Sequence, residues 1–478
     1  MNEMRVAVLG GGVSGLAAAY FLVRKKERVP FLRVDVYERA PRLGGVVETH
    51  VADGAIVERG PDAFFARDEK IFSVLRELGL EDELVAQNPE AGPTYVYHRG
   101  RLLPLPPGTE MGVPRRLLSM VRTPLLSPAG KLRAALDFVL PPLDAPGDVS
   151  VGEFFRRRFG DEVVEALIEP LVGTVYGAEA DVLSLDTLFP AYRDLERRYR
   201  SVLLGLRRSS RPSVRGETKS ASRAPGAGRF LTLRSGLEEL VRRLARALPP
   251  DAVHLQTGVE ALAWEDGLWK LVLSTGETVS AFVVVSTLPA WELARLLRGM
   301  GREDGAALLE EIPYSSTANV AFRFASPPLL GFSGAAILVP PRERRVVSSV
   351  SFTSRKWPHT VPPGESLVRV FVDRRSVERY TADAELREAV EEDLARLLGN
   401  LPPVRSALVS RFDRSLALYT VGHKERLARI RTYFANLGLP LVVRGAVFTG
   451  VGIPDCLTGG ERAADEALEH LAALAKRA

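Results

Sequence analysis

The chain has 478 residues, of which 46% are hydrophobic and 26% are charged, and its formal net charge of +5 is the balance of 64 basic and 59 acidic residues. This composition is ordinary for a globular protein and argues against a disordered chain, and the length predicts two or more structural lobes. The basic surplus is small and is not accompanied by a basic cluster with aromatic platforms, so we expect no nucleic-acid partner.

Cys456 is the single cysteine. Internal disulfides and thiolate metal sites are therefore excluded, and a reducing compartment is indicated. The six histidines are scattered, and we predict no metal site. No apolar stretch reaches the roughly 20 residues that span a bilayer, and the four residues before the first strand are too few for a secretory signal. We expect a cytoplasmic protein, with peripheral contact at the inner face of the cell membrane left open.

The first predicted elements are a buried parallel strand, RVAVLG, and the helix SGLAAAYFLVRKK. Between them lies Gly10-x-Gly12-x-x-Gly15, the spacing of a dinucleotide-binding turn. In that motif Gly10 permits the tight turn, Gly12 lets the backbone approach a pyrophosphate, and Gly15 allows close packing of helix and strand. The pyrophosphate would lie at the helix N-terminus, where free N–H groups favour negative charge.

A second strand, RVDVYER, ends in Glu38, at the distance from Gly15 where the motif places an acidic residue that binds the ribose. The residues that follow complete an E-x-x-x-R-x-G-G pattern with Arg42, Gly44 and Gly45. This pattern resembles the second FAD motif of the flavin amine oxidase and phytoene desaturase superfamily. In that superfamily the glycines let the chain pass close to the flavin and the arginine helps to hold the diphosphate side. The resemblance therefore implies FAD.

Hairpins and helices are predicted in the next part of the chain. Residues 51–63 predict a hairpin strand that leads to a Gly-Pro turn, and EKIFSVLRELG predicts a helix. The segment TYVYHRGRLLPLPP predicts a hairpin with its turn at Arg99–Gly100. Residues 150–205 are predicted to be helical, and Ser150 with Glu153 fits a capping box at their start.

The second half of the chain returns to strands after a polar segment, 207–229, that is rich in glycine and proline and predicts a flexible loop. Alternating strands follow, with turns at Asp266–Gly267 and Thr275–Gly276, and AFVVVSTLPA predicts a strand that rejoins the parallel sheet. Residues 312–375 predict a second sheet. The segment RGAVFTGVGIPDC predicts a strand, a glycine-rich crossing and then a long helix.

These elements predict an α/β fold: a Rossmann-like FAD-binding domain, a discontinuous mixed-sheet substrate domain and a helical subdomain. The first and last segments belong to one nucleotide-binding sheet, so the domains are expected to be discontinuous. The predicted bounds are 1–90, 226–300 and 405–478 for the FAD-binding domain, 91–110 and 301–404 for the substrate domain, 111–206 for the helical subdomain and 207–225 for the loop.

Six blocks carry a more specific signal: ERGPDAF (58–64), GVPRRLLSMVRTPLLSPAGKLRAALDFVLP (112–141), SVGEFFRRRFGDEVVEALIEPLVGTVYGAEADVLSLDTLFP (150–190), KWPH (356–359), VGHKERL (421–427) and GVGIPDC (450–456). Together they resemble the bacterial protoporphyrinogen and coproporphyrinogen III oxidases of the Gram-positive type, a branch of the flavin amine oxidase superfamily. The similarity runs nearly end to end.

The resemblance implies an FAD-dependent enzyme of heme biosynthesis that oxidises coproporphyrinogen III to coproporphyrin III, with O₂ as electron acceptor and H₂O₂ as product. Protoporphyrinogen IX oxidation is the main alternative, and another flavin amine oxidase or desaturase, or a silent FAD protein that delivers porphyrin to a partner, stays open. One dinucleotide motif leaves no second site for a nicotinamide. A transient contact with ferrochelatase is a further expectation, and the sequence gives no oligomeric state.

No catalytic side chain is predicted, because the chemistry is assigned to FAD. The N–H groups of GVGIPDC are expected to face the electron-rich edge of the reduced flavin. In the Gly60 turn, Ala63 stands where the family usually has serine. The FAD contacts that the resemblance implies are Gly10, Gly11, Gly12, Val13, Ser14, Gly15, Glu38, Arg39, Arg42, Gly44, Gly45, Gly60, Pro61, Asp62, Val259, Gly450, Val451, Gly452 and Ile453.

A porphyrinogen site needs a flat apolar slot and cations for the propionates. Thr94 stands where some protoporphyrinogen oxidases carry a propionate-pairing arginine, which favours coproporphyrinogen. The segment 411–423 lacks the family's tryptophan and Pro-Gln-Tyr, although Phe412 and Tyr419 keep the aromatic character. Residues 111–139 either roof the cavity or dock on a membrane. The candidate substrate residues are Thr94, Arg67, Phe352, Lys356, Tyr419 and His423.

Overall fold

A five-stranded parallel sheet forms the centre of the fold. The computed structural model describes residues 3–29, 31–66, 69–110, 112–114, 117–143, 146–208, 230–327 and 332–476. The strands are short and rich in valine, which suits a sheet that is covered on both faces. Their spatial order is Val253–His254, Leu32–Tyr37, Met4–Leu9, Val283–Ser286 and Leu441–Val443.

Two layers cover this sheet. The helices Val13–Arg24 and Ile453–Ala475 pack together on one face, where the apolar side chains of alternate strand residues, such as Val6 and Val8, are fully buried. The other face, which includes Leu9, packs against an antiparallel three-stranded sheet and neighbouring helices. That sheet consists of Val259–Glu265, Leu268–Leu273 and Thr278–Ala281, and the helices are Ala290–Gly299, Glu303–Glu310 and His423–Leu437.

A mixed seven-stranded sheet forms the second large layer. One face is apolar and packs against the helix Asp383–Leu398 through Leu386, Val390 and Leu394. The opposite, polar face carries Asn319 and Arg369, and beside them Ala321 and Leu367 pack against the hairpin residues Ala55 and Val57. The strand order is Val404–Ala417, Tyr314–Phe324, Ser366–Val372, Val347–Ser351, Ala336–Leu338, Thr94–His98 and Arg101–Pro104.

The helical subdomain has its own aromatic core, which includes Phe154, Phe155 and Phe159. The Ser150 hydroxyl accepts a hydrogen bond from the Glu153 N–H at 3.0 Å, as expected for an N-cap. Its helices are Leu117–Arg122, Pro128–Ala135, Val151–Phe159, Asp161–Val163, Glu169–Tyr176, Leu185–Leu188, Pro190–Tyr199 and Val202–Arg208, with a π-helical turn at Val164–Ile168.

The remaining elements connect these layers. A three-stranded sheet joins Phe64–Phe65, Phe230–Leu233 and Leu84–Ala86, and hairpins join Thr49–Ala52 to Ala55–Glu58 and Thr109–Glu110 to Val113–Pro114. The other helices are Glu69–Glu77, Glu238–Arg246, Thr353–Lys356, Arg374–Arg379 and Ala446–Thr449, and the 3₁₀ turns are Lys26–Arg28, Glu81–Glu83, Leu136–Phe138, Pro341–Glu343 and Pro358–Thr360.

The structure confirms the predicted α/β class, the hairpin turn at Arg99–Gly100 and the return of Val283–Ser286 to the parallel sheet. The strand predicted within RGAVFTG is wrong. The last strand ends at Val443, and Ala446–Thr449 is a short helix. The reason is Gly445, whose φ of +137° turns the chain before the β-branched and aromatic residues that suggested a strand.

The predicted domain boundaries stay predictions. The boundary at residue 405 falls within Val404–Ala417, which pairs along its length with a strand of the seven-stranded sheet. Residues 207 and 208 end the helix Val202–Arg208, and the predicted loop lies beyond them, outside the described residues. Among the residues that the structure does describe, no helix is both long and apolar enough to cross a membrane.

Candidate active site

The first glycine motif has the geometry that a pyrophosphate requires. Gly10 has a φ of +100°, and its N–H donates to the Tyr37 carbonyl at 2.9 Å. A Cβ added at Gly15 would lie 1.9 Å from the Gly10 carbonyl oxygen, so only glycine permits this approach of helix and strand. A Cβ added at Gly12 would meet no atom within 4 Å. This open space at Gly12 lies where the bound phosphates are expected.

The helix Val13–Arg24 begins at this open space. Gly12 is its N-cap and supplies no side-chain acceptor. The first N–H groups of a helix have no intrahelical partner, and those at Val13, Ser14 and Gly15 are therefore available to an anion. The residues present thus fit a dinucleotide phosphate.

The second glycine motif packs directly on the first. Gly44 donates its N–H to the Gly11 carbonyl at 2.8 Å, and Gly12 and Gly44 form an isolated parallel bridge. A Cβ added at Gly45 would lie 3.5 Å from the Gly12 Cα. The structure therefore brings the two motifs, which are separated in the sequence, to one place.

Arg42 holds the loop that carries the second motif. Its guanidinium donates to the carbonyls of Leu43 at 3.0 Å and Val47 at 3.1 Å, and it pairs with Glu48 at 2.9 Å. Arg39 is more exposed and pairs with Glu260 at 3.1 Å, next to Val259, which is one of the predicted FAD contacts.

Glu38 lies at the end of the second parallel strand. One carboxylate oxygen accepts the Gly11 N–H at 2.7 Å and the other accepts the Ala40 N–H at 2.8 Å. A carboxylate has further acceptor capacity beyond two bonds, so Glu38 can still receive ribose hydroxyls. Val259 begins the antiparallel sheet nearby, and its carbonyl accepts Arg295 Nη2 at 2.9 Å.

The Gly60 turn contacts the loop that follows Gly45. A Cβ added at Gly60 would lie 1.8 Å from the Val46 carbonyl oxygen. Asp62, two residues later, lies 3.9 Å from Lys356 Nζ and 3.7 Å from Arg369 Nη1. Burial alone would raise the pKa of Asp62, but the two cations outweigh it and lower that pKa.

The C-terminal motif lies at the start of the long helix Ile453–Ala475, with Gly452 as N-cap. This helix packs so closely on Val13–Arg24 that a Cβ added at Gly460 would lie 2.5 Å from the Ala17 Cβ. Cys456 is buried and burial raises its pKa to about 11. This environment suits a packed thiol and not a nucleophile.

Two of the predicted substrate residues meet beside the C-terminal motif. The Tyr419 hydroxyl donates to the Ala446 carbonyl at 3.0 Å, and its ring stacks on that of His423 with centroids 4.6 Å apart. Both rings lie at a cavity of about 1330 Å³ that is also lined by Gly450, Val451 and Gly452.

The lining of this cavity is mixed: apolar side chains alternate with polar ones, and it includes the carboxylates of Asp455 and Glu466 as well as several cations at the rim. The side chains of Lys424, Arg431 and Arg462 line it and are exposed, and none of the three forms an ion pair with another residue in the described ranges. The cavity also contains Arg444, which pairs with Glu466 at 2.6 Å. A ligand with several carboxylates would find unpaired cations here.

The other predicted substrate residues lie elsewhere. Lys356 contacts Asp62, and Phe352 lines a separate cavity of about 420 Å³. Thr94 pairs with Ala336 in the seven-stranded sheet. Arg67 lies outside the described residues.

Sequence reasoning missed three polar residues on the seven-stranded sheet. Asn319, Arg369 and Ser410 contact the segment Arg59–Gly60. The available signal was an arginine in the middle of an apolar strand, SLVRVFV, where a charge is not expected without a partner.

Comparison with known proteins gives a consistent picture. The family model described as flavin containing amine oxidoreductase matches residues 13–468. The chain is 36% identical over 474 residues to a coproporphyrinogen III oxidase of Bacillus subtilis. The aligned residues cover 98% of this chain and 99% of that protein. It is 31% identical to the coproporphyrinogen III oxidase of Staphylococcus aureus, again over 98% and 99% of the two chains.

A solved structure is similar over the same length. The crystal structure of an Exiguobacterium sp. 255-15 protein that is assigned as a protoporphyrinogen oxidase superposes with a TM-score of 0.85 at 30% identity, covering 98% of this chain and 99% of that one.

Proposed function

Because the chain belongs to the flavin-containing amine oxidoreductase family, we propose that it oxidises coproporphyrinogen III to coproporphyrin III, with O₂ as electron acceptor and H₂O₂ as product. The cofactor is FAD. Full-length similarity to coproporphyrinogen III oxidases supports this choice of substrate.

One structural observation carries the assignment. The large cavity opens beside the Gly450–Gly452 loop, and its lining combines apolar side chains with exposed cations at the rim that have no ion-pair partner among the described residues. Coproporphyrinogen has an apolar macrocycle, puckered at its saturated methylene bridges, and four propionates, so it needs more cations than protoporphyrinogen, which has two propionates.

The residues of the chain bind and orient the cofactor and the substrate, and FAD, when bound, supplies the hydride-accepting chemistry. The N-termini of the helices at Val13 and Ile453 provide N–H groups for negative charge. Tyr419 and His423 present a stacked pair of rings at the cavity, and the rim cations can hold carboxylates. No side chain is assigned a proton-transfer role.

The test compares two substrates on one preparation. The purified protein should be yellow, and anaerobic addition of coproporphyrinogen III should bleach the flavin absorbance, followed by O₂ uptake and H₂O₂ release in air. Protoporphyrinogen IX should do the same with a lower kcat/KM. Equal or better use of protoporphyrinogen would assign the alternative activity, and no bleaching by either substrate would overturn the proposal.

A charge reversal at the rim tests the cavity itself. Arg431→Glu should raise the KM for coproporphyrinogen about tenfold, the effect of losing roughly 1.4 kcal/mol of binding, and should raise the KM for protoporphyrinogen less. Arg374→Glu, on an exposed helix outside the cavity, is the matched control. An unchanged KM in Arg431→Glu would place the macrocycle elsewhere.

We also propose that residues 117–139 touch a membrane surface. The exposed large apolar side chains Leu132 and Val139 have 71% and 76% of their surface accessible, and Val121, Leu136 and Phe138 are exposed in the same segment. Exposed apolar groups beside basic ones favour an anionic lipid surface over a cavity roof. Wild type should sediment with anionic vesicles, and Leu132→Glu with Val139→Glu should not. Contact with ferrochelatase stays a prediction.

A further inference from the structure

Three side chains on the polar face of the seven-stranded sheet hold the segment that enters the Gly60 turn. Asn319 Nδ2 donates to the Arg59 carbonyl at 2.8 Å. Arg369 Nη2 donates to the same carbonyl at 3.3 Å and also to the carbonyl of Gly60. The Ser410 hydroxyl accepts a hydrogen bond from Arg59 Nε at 3.2 Å. Two successive carbonyls of the turn are therefore fixed by one guanidinium.

The segment held in this way is continuous with the flavin motifs. Arg59 pairs with Glu48 at 3.0 Å, and Glu48 pairs with Arg42 at 2.9 Å. Gly60 packs against the Val46 carbonyl, where a Cβ would lie 1.8 Å from the oxygen. The side chains of the polar face therefore fix, through Arg59 and Gly60, the loop that carries the second glycine motif.

Arg369 is a buried cation with incomplete neutralisation. Its side chain is 1% exposed, and its Nε has no hydrogen-bond partner among the described residues. The facing carboxylate, Asp62, lies 3.7 Å away and is shared with Lys356. Burial raises the pKa of the other neighbouring carboxyl, Glu58, to about 7, so it is only partly ionised at neutral pH. Positive charge therefore remains beside the turn.

We propose that Arg369 is a positioning residue for the flavin: it fixes the Gly60–Asp62 turn and, through its buried charge, makes reduction of the bound cofactor more favourable. Reduction adds negative charge to the flavin, and a cation in a poorly solvated interior stabilises that charge more than a cation in water does. The inference concerns the cofactor and does not depend on which porphyrinogen is the substrate.

The test is an anaerobic redox titration of the purified holoenzyme without porphyrinogen. Arg369→Met should lower the midpoint potential of the flavin. Asp62→Asn should raise it, because the charges of Arg369 and Lys356 then lose their shared carboxylate. Opposite signs are the decisive result, since loosening of the turn alone would not shift the potential in two directions.

Two further variants separate charge from geometry. Arg369→Lys keeps the charge but loses the planar fork, so it should retain the wild-type potential while FAD dissociates more readily. Arg323→Met removes another arginine of the same sheet, one that pairs with Glu365, and should leave the potential unchanged. If Arg369→Met does not fold, the midpoint potential of Asp62→Asn still tests the proposal. An unchanged or lower potential in Asp62→Asn would overturn the proposal, as would an unchanged potential in a folded Arg369→Met.

Discussion

The two large sheets meet the cofactor segment in different ways. Apolar layers cover both faces of the parallel sheet, and the turn after its first strand reaches the expected phosphate position with bare backbone at Gly10, Gly12 and Gly15. The seven-stranded sheet has one apolar face, and its other face mixes apolar residues such as Leu367 with the polar side chains of Asn319 and Arg369, which reach the site.

This difference separates two physical mechanisms. At the parallel sheet, steric fit determines whether FAD binds, because a side chain added at Gly15 meets backbone and one added at Gly12 enters the space expected for the phosphates. At the seven-stranded sheet, hydrogen bonds and charge decide, and each group contributes a moderate amount. A single substitution in the first region should therefore strongly destabilise the fold or strongly weaken FAD binding. Substitutions in the second region should each lower the unfolding free energy by a moderate amount, and some of these effects should depend on pH.

The largest effect is expected at Gly15. A Cβ there would lie 1.9 Å from the Gly10 carbonyl oxygen and 2.9 Å from Thr287 Oγ1, so Gly15→Val forces the helix away from the strand. We expect a loss of about 3 kcal/mol in the free energy of unfolding, as for overpacked cores, together with loss of FAD. Urea unfolding and flavin absorbance measure both. Gly299→Ala, where an added Cβ meets nothing within 4 Å, is the control and should retain both.

Gly12→Val should separate binding from folding. The added side chain meets no protein atom at its Cβ, so the apoprotein should melt at the wild-type temperature. The side chain would occupy the space expected for the pyrophosphate, and we expect FAD to bind about 100-fold more weakly, which corresponds to roughly 3 kcal/mol. Fluorescence titration of apoprotein with FAD measures this. Wild-type affinity would show that the phosphates lie elsewhere.

Glu58, at the end of the hairpin strand Ala55–Glu58 and within electrostatic reach of Arg369, should make the surroundings of the second region dependent on pH. It is buried, and burial raises its pKa to about 7 although it accepts hydrogen bonds from Leu237 N at 2.6 Å and the Thr49 hydroxyl at 2.9 Å. A carboxyl with a raised pKa in the folded state binds more protons folded than unfolded, so its contribution is complete below the unfolded pKa and is lost as the pH rises to about 7.

We therefore expect wild type to lose about 3 kcal/mol relative to Glu58→Gln between pH 4 and pH 7, at 1.36 kcal/mol for each unit of pKa. Unfolding free energies of both proteins at several pH values test this. Parallel pH profiles would contradict the expectation.

The smallest effect is expected at Ser410. Its hydroxyl accepts one hydrogen bond from Arg59 Nε at 3.2 Å, while Asn319 and Arg369 still hold the Arg59 carbonyl. Ser410→Ala should cost about 1 kcal/mol in unfolding free energy, with FAD content unchanged. A loss as large as that at Gly15 would remove the distinction between the two regions.

Sequence reasoning succeeded where local backbone chemistry decides the outcome. The glycine motif between RVAVLG and its helix was predictable, because tight turns and close approaches exclude other residues. It failed at Ala446–Thr449, where β-branched and aromatic residues favoured a strand and Gly445 ended the strand instead. Arg369 was not predictable as a contact of Gly60, because pairing between distant strands and turns leaves no local pattern.

The helix Ile453–Ala475 has a consequence for biosynthesis. Its partner, Val13–Arg24, leaves the ribosome more than four hundred residues earlier, and the last strand of the parallel sheet, Leu441–Val443, is also made late. The nascent polypeptide therefore keeps one flank of its first helix uncovered until residues 453–475 have left the ribosome. We expect the prosthetic group to be loaded only after Ile453–Ala475 has folded onto its partner, so deletion of that helix should abolish cofactor binding.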